Sequence, residues 1–362
     1  MKNEFQPSTE LQIDGRRISL EDPVYFIAEI GSNFDQDLGR AKELIFMAKE
    51  AGADAAKFQH YTAGSLVSDF GFQNIAGSKS HQSSWKKSVY DTYEDASINQ
   101  DWTSILQETC AEANLSFFTS PYSFDLVNLV DPFVPAYKIG SGDITWIEII
   151  EYIASKEKPV LLATGASSQT DVERAVSAIL EISPKLILMQ CNTNYTADQE
   201  NYKSIQLNVL SSYQRMYPGI ITGLSDHMPG HTSVLGAVAL GARVIEKHFT
   251  DSIDRDGPDH SFSMTPETYR EMVEKTRELE ASLGDGKKRI EANEEKTAIL
   301  QRRSIVASMS LSRGTELKRH HIDFLRPCPK DALQPYEIND VVGKVVKRDI
   351  KLGESLTWSD ID

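Results

Sequence analysis

Eight short apolar runs recur along the first two thirds of the chain, each followed by a longer segment of helical character. The runs are VYFIAEIG (24–31), AAKFQHY (55–61), SFFTSPY (116–122), AYKIGSG (136–142), PVLLATG (159–165), LILMQCN (186–192), IITGLSD (220–226) and RVIEKHF (243–249). Near-continuous apolar strands separated by segments such as GRAKELIFMAKEAGA are the pattern of a parallel sheet covered by crossover helices. Eight of them predict an α/β fold of the closed (β/α)8 TIM-barrel type, although an open doubly wound sheet has the same periodicity. The polar residues near the run ends favour closure: Glu29, Lys57, Ser120, Lys138, Thr164, Asn192, His227 and His248. In a barrel those ends converge on one face, where active sites lie. Ahead of the first run, LQIDGRRISL reads as a hairpin around Asp14-Gly15, positioned as a lid under the barrel floor.

The pattern weakens over 64–100 into a long polar and aromatic insertion, a length that in compact domains marks a functional or mobile loop. The last barrel helix, TPETYREMVEKTRELEASLG, carries a Thr-x-x-Glu start signal with Pro266 in its first turn. We therefore divide the chain into a barrel with its hairpin over 1–285, a charged linker over 286–302 and a small β-rich domain over 303–362. That last part holds a weak repeat: ASMSLSRGTELKRHHID (307–323) aligns with VKRDIKLGESLTWSDID (346–362), matching Gly314 with Gly353, Leu317 with Leu356 and Ile322 with Ile361.

With 362 residues, 40% of them hydrophobic, the chain can bury a large core. A formal net charge of -15 argues against nucleic acid as a partner, so an anionic substrate must be met by local positive charge. No apolar run reaches the length of a membrane helix, and the N-terminal segment has no signal core. Cys110, Cys191 and Cys328 have no pairing or metal-site spacing, which fits idle thiols in a reducing cytoplasm.

Residues two apart on a strand share a face, so Ser225 pairs with His227 and Glu246 with His248 on the next run. Two imidazoles from adjacent strand ends fit a divalent ion whose other positions go to water and substrate, the alternative being two structural histidines. Lys57 and Lys138 lie inside apolar strands, where a lysine is costly unless its charge is paired or used. Together they suit a carboxylate and a phosphate. Glu29 in FIAEIGSN is then either a proton carrier or a plain counter-ion for Lys57. No nucleotide-binding glycine loop is present.

FIAEIGSN, AKEAGADAAKFQ, AYKIGSGD, GLSDH, VIEKHFT and GPDHSFSMTPE resemble the sialic-acid (N-acetylneuraminate) synthase family, and RRSIVASMSLSRGTEL with VVGKVVKRDIKLGESLTWSDI resembles its C-terminal antifreeze-like (SAF) domain. The likeness runs in order over about 22–362. It implies condensation of phosphoenolpyruvate with an N-acetylated aminosugar of the N-acetylmannosamine type, giving a nonulosonic acid and phosphate. It further implies a divalent metal, Mn²⁺ foremost with Mg²⁺ or Co²⁺ as alternatives, on His227 and His248. By the same resemblance Lys57, Lys138, Ser141 and Ser225 hold phosphoenolpyruvate, Glu29 is catalytic, and Asp143, Tyr195, Glu246, Asp259 and Arg326 meet the sugar. The family's domain-swapped homodimer would bring Arg326 to the partner chain's site. The sequence departs from the family at Phe34, Asp35, Ala163 and Thr193, which bears on the choice of sugar. A legionaminic- or pseudaminic-type acid, or a sugar phosphate acceptor, are alternatives within this reading. A Schiff-base aldolase working through Lys57 or Lys138, and a binding protein without catalysis, are the competing ones.

Overall fold

The computed structural model describes residues 5–75, 82 and 85–362, so part of the 64–100 insertion lies outside the described residues. The chain separates into two compact units, Met1–Gly284 and Asp285–Asp362.

The first unit opens with an antiparallel hairpin, β1 (Glu10–Ile13) and β2 (Arg16–Ser19). Its turn residues Asp14 and Gly15 have φ of 47° and 76°, the two positive values of a tight hairpin turn. Eight parallel strands follow: β3 (Tyr25–Gly31), β4 (Ala55–His60), β5 (Ser116–Pro121), β6 (Tyr137–Ile139), β7 (Val160–Ala163), β8 (Leu186–Cys191), β9 (Ile221–Asp226) and β10 (Val244–His248). They hydrogen-bond in the order β5-β4-β3-β10-β9-β8-β7-β6, the circular order of a (β/α)8 barrel, and β5 and β6 lie against each other where the ring meets. β6 and β7 are shorter than the apolar runs containing them. Pro159, which has no N–H to give a ladder, precedes β7, and beyond β6 the chain turns at once into the 3-10 turn Ser141–Asp143.

Leu11, Ile13 and Ile18 of the hairpin pack into the same apolar cluster as the lower inward-facing side chains of the strands, including Tyr25, Ile27, Leu161, Ile187 and Val244. The hairpin therefore plugs the floor, and the site must open at the other end. The helices cover the outside through a second, larger core that includes Phe26, Ile45, Leu106, Ile150, Ile179 and Tyr269. Helix Pro266–Leu283 starts as a reciprocal cap whose third-position partner is Thr268 and not a glutamate: Thr265 Oγ1 accepts from Thr268 N–H at 3.4 Å, and Thr268 Oγ1 accepts from Thr265 N–H at 2.9 Å.

The second unit has its own core of Ile305, Leu317, Ile322, Leu333, Val346, Leu356 and Ile361 around β11 (Ser304–Ala307) and β12 (Ile322–Leu325). The repeat is visible in its backbone. Gly314 and Gly353 both take positive φ, 86° and 79°, and the turns Arg319–His321 and Trp358–Asp360 both precede a buried isoleucine. Of residues 286–302, read above as linker, Ala292–Glu294 forms a turn and Glu295–Gln301 a helix.

On the outer face of the barrel, Lys247 Nζ donates to Asp226 Oδ2 at 2.9 Å and to the Met228 carbonyl, while Ser233 Oγ donates to the same carboxylate oxygen at 2.6 Å. Both charged side chains are 1% exposed. Asp226→Ala leaves Lys247 buried without its counter-ion, so we expect a loss of about 3–5 kcal/mol in denaturant unfolding. A loss under about 1 kcal/mol, the size typical of an exposed pair, would contradict this account.

Candidate active site

Inward-facing positions alternate along each strand, and their chemistry changes with height. Two residues beyond the floor layer, the same faces carry Glu29, Lys57, Lys138, Ser225 and Glu246, and one step higher His248. Glu29, Lys57, Lys138 and Glu246 are all under 5% exposed. Their charges are met within the group. Lys57 Nζ donates to Glu29 Oε2 at 2.6 Å and lies 3.9 Å from Glu246 Oε1. Lys138 Nζ and Ser225 Oγ donate to that same Glu246 oxygen at 2.9 and 3.1 Å.

The two carboxylates titrate apart. Burial pushes Glu29 up to about 7, with Lys57 opposing and the Glu246 charge reinforcing the shift. Burial pushes Glu246 the same way, but Lys138 and Lys57 outweigh it and hold that carboxyl at about 2. Near neutral pH, then, Glu246 is a fixed anion and Glu29 is poised to exchange a proton, a division of roles set by environment alone. Gln59, two residues past Lys57 on the same face, donates to Glu29 Oε1 at 2.6 Å. Sequence reading overlooked it, although strand alternation puts it on the same face as Lys57.

His227 follows β9 directly and His248 ends β10; their ring centroids are 5.3 Å apart. His227 Nδ1 lies 3.0 Å from the Asn192 carbonyl, which directs Nε2 away as a free nitrogen. His248 Nδ1 is buried without a hydrogen-bond partner, 3.6 Å from Asp259 Oδ2. Burial lowers His227 to about 4, and burial, with His227 and the lysines adding to it, takes His248 well below its usual range. Both rings are neutral and can serve as metal ligands. Among the described residues no group of three or more His, Cys, Asp or Glu surrounds one point, so a closed structural ion site is not built here.

Other predicted residues gather around this centre. Tyr195 packs its ring 4.4 Å from His227, and Phe262, unforeseen, touches Tyr195, His227 and His248. Burial raises Asp259 to about 6. A Cβ on Gly31, whose φ is +54°, would stand 2.7 Å from Asp259 Oδ2, so only glycine lets β3 end there. Ser141 Oγ accepts from the Gly165 N–H at 2.9 Å, at the end of β7. Asp143, in the same turn as Ser141, is half-buried and raised to about 6 by burial, but it stands outside the lysine–carboxylate network. Arg326 is exposed and belongs to the second unit. His260 is buried between Thr250 Oγ1 at 2.8 Å and Asp35 Oδ1 at 2.9 Å. Of the sequence departures, Phe34 packs against Phe58 and Trp102, and Asp35 meets His260, Arg40 and Arg255.

The raised Glu29 carboxyl has a thermodynamic signature. Between its ordinary value of 4.5 and about 7, the folded chain binds a proton that the unfolded chain has lost. Its contribution is complete at the acid end and disappears as pH rises through that window, a loss on the order of 3 kcal/mol. In EDTA-treated protein, unfolding at about pH 5 and about pH 7.5 should show this loss for the unaltered chain and not for Glu29→Gln; parallel behaviour of the two would refute the assignment.

Comparison with known proteins places the chain in a family. Residues 44–288 match the NeuB family and residues 302–362 the SAF domain. The N,N'-diacetyllegionaminic acid synthase of Legionella pneumophila is 31% identical over 93% of this chain and 94% of its own. The N-acetylneuraminate-9-phosphate synthase of Homo sapiens is 32% identical over 92% of this chain and 91% of its own. The crystal structure of an N-acetylneuraminic acid (sialic acid) synthetase from Leptospira borgpetersenii, in complex with citrate, superposes with a TM-score of 0.70 at 28% identity, covering 81% of this chain and 96% of that one. With a family match over most of the barrel and full-length relatives above 30% identity, this chain belongs to the NeuB family and carries the SAF domain at its C-terminal end.

Proposed function

We propose that the barrel condenses phosphoenolpyruvate with the open-chain aldehyde of an N-acetylated aminosugar, forming a nonulosonic acid and releasing phosphate. The observation that carries this reading is the convergence of Lys57, Lys138 and two neutral histidines on one end of the barrel. A donor with a carboxylate and a phosphate needs two separate cationic anchors, and the lysines, with Ser141 and Ser225 beside them, provide them. A divalent ion, Mn²⁺ foremost, held by His227 and His248 would polarise the acceptor's aldehyde oxygen. C3 of the enol then forms the new carbon–carbon bond, water adds at C2, and the C2–O bond to phosphate breaks. Glu29, near half protonation at neutral pH, is the group that takes up and returns the proton of the water step. Asp143, Tyr195, Glu246 and Asp259 face the sugar in this proposal.

A Schiff-base aldolase fits less well. Its lysine must be available as the free amine, and although burial works in that direction, Glu246 and Glu29 outweigh it and raise Lys57 above its usual value. The choice between a sialic, legionaminic or pseudaminic product rests on acceptor contacts and not on this centre. A cytoplasmic location is part of the proposal, in keeping with three buried free cysteines.

The test is phosphate release from phosphoenolpyruvate with Mn²⁺, with and without EDTA, across N-acetylmannosamine and di-N-acetylated deoxyhexoses. We expect acceptor-dependent, EDTA-sensitive release, and a drop of roughly 10²–10⁴ in kcat for Glu29→Gln with little change in donor binding. Release that ignores EDTA, or borohydride trapping of a lysine adduct, would overturn the reading.

We further propose a homodimer in which Arg326 serves the partner's sugar site. Arg326→Ala and Lys138→Ala chains, each inactive alone, should then recover about a quarter of full activity when co-assembled, because half of random dimers carry one complete site. No recovery would mean that Arg326 acts within its own chain or not at all.

A further inference from the structure

The segment after β3 and the loop after β10 meet at a buried histidine. His260 is 0% exposed, and its ring lies so close to Gly257 that a Cβ there would stand 2.5 Å from Cδ2. Nε2 reaches Asp35 Oδ1 at 2.9 Å, and Nδ1 reaches Thr250 Oγ1 at 2.8 Å. A carboxylate only accepts, so the Asp35 contact assigns a proton to Nε2. The other Asp35 oxygen, Oδ2, lies 3.2 Å from Arg40 Nε and 3.5 Å from an Arg255 nitrogen. Each carboxylate oxygen thus has its own kind of partner, a ring N–H on one side and guanidinium charge on the other.

Asp35 holds this post in a costly backbone conformation. It and Gln36 have φ of 51° and 57°, in the left-handed region that residues with a Cβ enter at a cost and aspartate enters more readily than most. Such conformations persist where the surroundings over-determine them, and they gather at functional sites.

The clasp bears on the centre through two neighbours of His260 in the chain. Asp259 immediately precedes it, with Oδ2 3.6 Å from His248 Nδ1, an atom that has no hydrogen-bond partner among the described residues. Phe262, two residues beyond, sets its ring 4.8 Å from that of His248 and 5.7 Å from that of His227. The stretch is folded back on itself: Ser263 N–H donates to the His260 carbonyl at 3.1 Å, and Ser263 Oγ to the Asp259 carbonyl at 2.6 Å. A shift of His260 therefore carries Asp259 and Phe262 with it. Lys57 and Lys138 stand on strands and do not depend on this loop.

We propose that Asp35 is a positioning residue: through His260 it holds Asp259 and Phe262 against the two histidines, and so orients His248 as a metal ligand. This deepens the synthase reading and rests on that reading's metal. A carboxylate beside the second nitrogen of a ligating imidazole is worth about 10–100-fold in metal affinity or activity, and Asp259 fills that place only while the clasp holds.

Two variants at one position separate the clasp from the backbone strain. Asp35→Gly keeps the left-handed turn, which glycine adopts freely, and loses the clasp. Asp35→Asn keeps an acceptor for His260 Nε2 in a residue that tolerates the same φ. On the full chain, Mn²⁺ affinity is measured by calorimetry without substrates, alongside kcat, KM for phosphoenolpyruvate and denaturant unfolding. In Asp35→Gly, Mn²⁺ affinity and kcat should each fall about tenfold or more, with KM for phosphoenolpyruvate within about twofold of the parent. Asp35→Asn should restore most of both losses. Weakened unfolding in Asp35→Gly with Mn²⁺ affinity and kcat kept overturns the proposal and leaves the synthase reading standing, as does a loss that asparagine fails to restore. An unaltered chain that binds no Mn²⁺ removes the metal and this proposal together. Where Mn²⁺ binds and no acceptor releases phosphate, the synthase reading falls, and the affinity ratio alone upholds or overturns the clasp.

Discussion

Two lysines and two glutamates share the interior of a barrel whose lower half is hydrocarbon, and the rest of the site follows from how they are satisfied. A lone charge at that depth would cost several kcal/mol even after relaxation, so each lysine must have its carboxylate and each carboxylate its donors. Glu246 serves both lysines and therefore stays ionised, whereas Glu29 has one lysine and an amide and does not hold its charge so firmly. The asymmetry in pKa comes from counting partners. Because all four side chains stand on strands in one hydrogen-bonded sheet, their spacing is set by strand register, which is stiffer than any loop.

The same demand for pairing operates outside the ring. Asp226 and Lys247 point away from the site but flank His227 and His248 in sequence, and their buried bond locks the ends of β9 and β10 together. Higher up, Arg40 in the first turn of helix Leu38–Glu50 grips Asp251 with two nitrogens while Asp35 bonds His260, so the segment after β3 and the loop after β10 are tied at two points. The second of these loops carries Asp259 and Phe262 over the histidines. Position at the centre thus depends on ion pairs that make no contact with the reacting groups.

Much of the inner layer was legible before any coordinates: Glu29, Lys57 and Lys138 stood out as charges inside apolar runs, and period two put Ser225 with His227 and Glu246 with His248 on shared strand faces. Those features are local, and local periodicity is what a sequence displays. The ties between loops were not legible. Arg40 and Asp251 are 211 residues apart, and Asp35 and His260 are 225 apart, so no window of sequence contains both partners. The start of the last barrel helix is a different case, because the residue three beyond Thr265 is Thr268, plain in the sequence, and its hydroxyl fills the capping role that pattern reading assigned to a glutamate. Arg326 is a third case: its exposure in a separate unit is a fact about that unit alone, and its proposed role depends on an assembly that one chain does not display.

Energetics also explains why chemistry and acceptor choice are separable in such a protein. Removing one partner of a buried pair in the inner layer costs about 3–5 kcal/mol, a large share of a domain's stability. Exchanging a charge on the exposed rim, where Lys86 and Asp256 are 82% and 90% exposed, costs the fold little, because solvent screens the pair. Changes of the second kind alter the field a substrate meets without disturbing the strands, while changes of the first kind threaten the fold before they redirect the reaction. In the proposed reaction the inner layer is therefore held in place by stability, while exposed charges on the rim are free to differ.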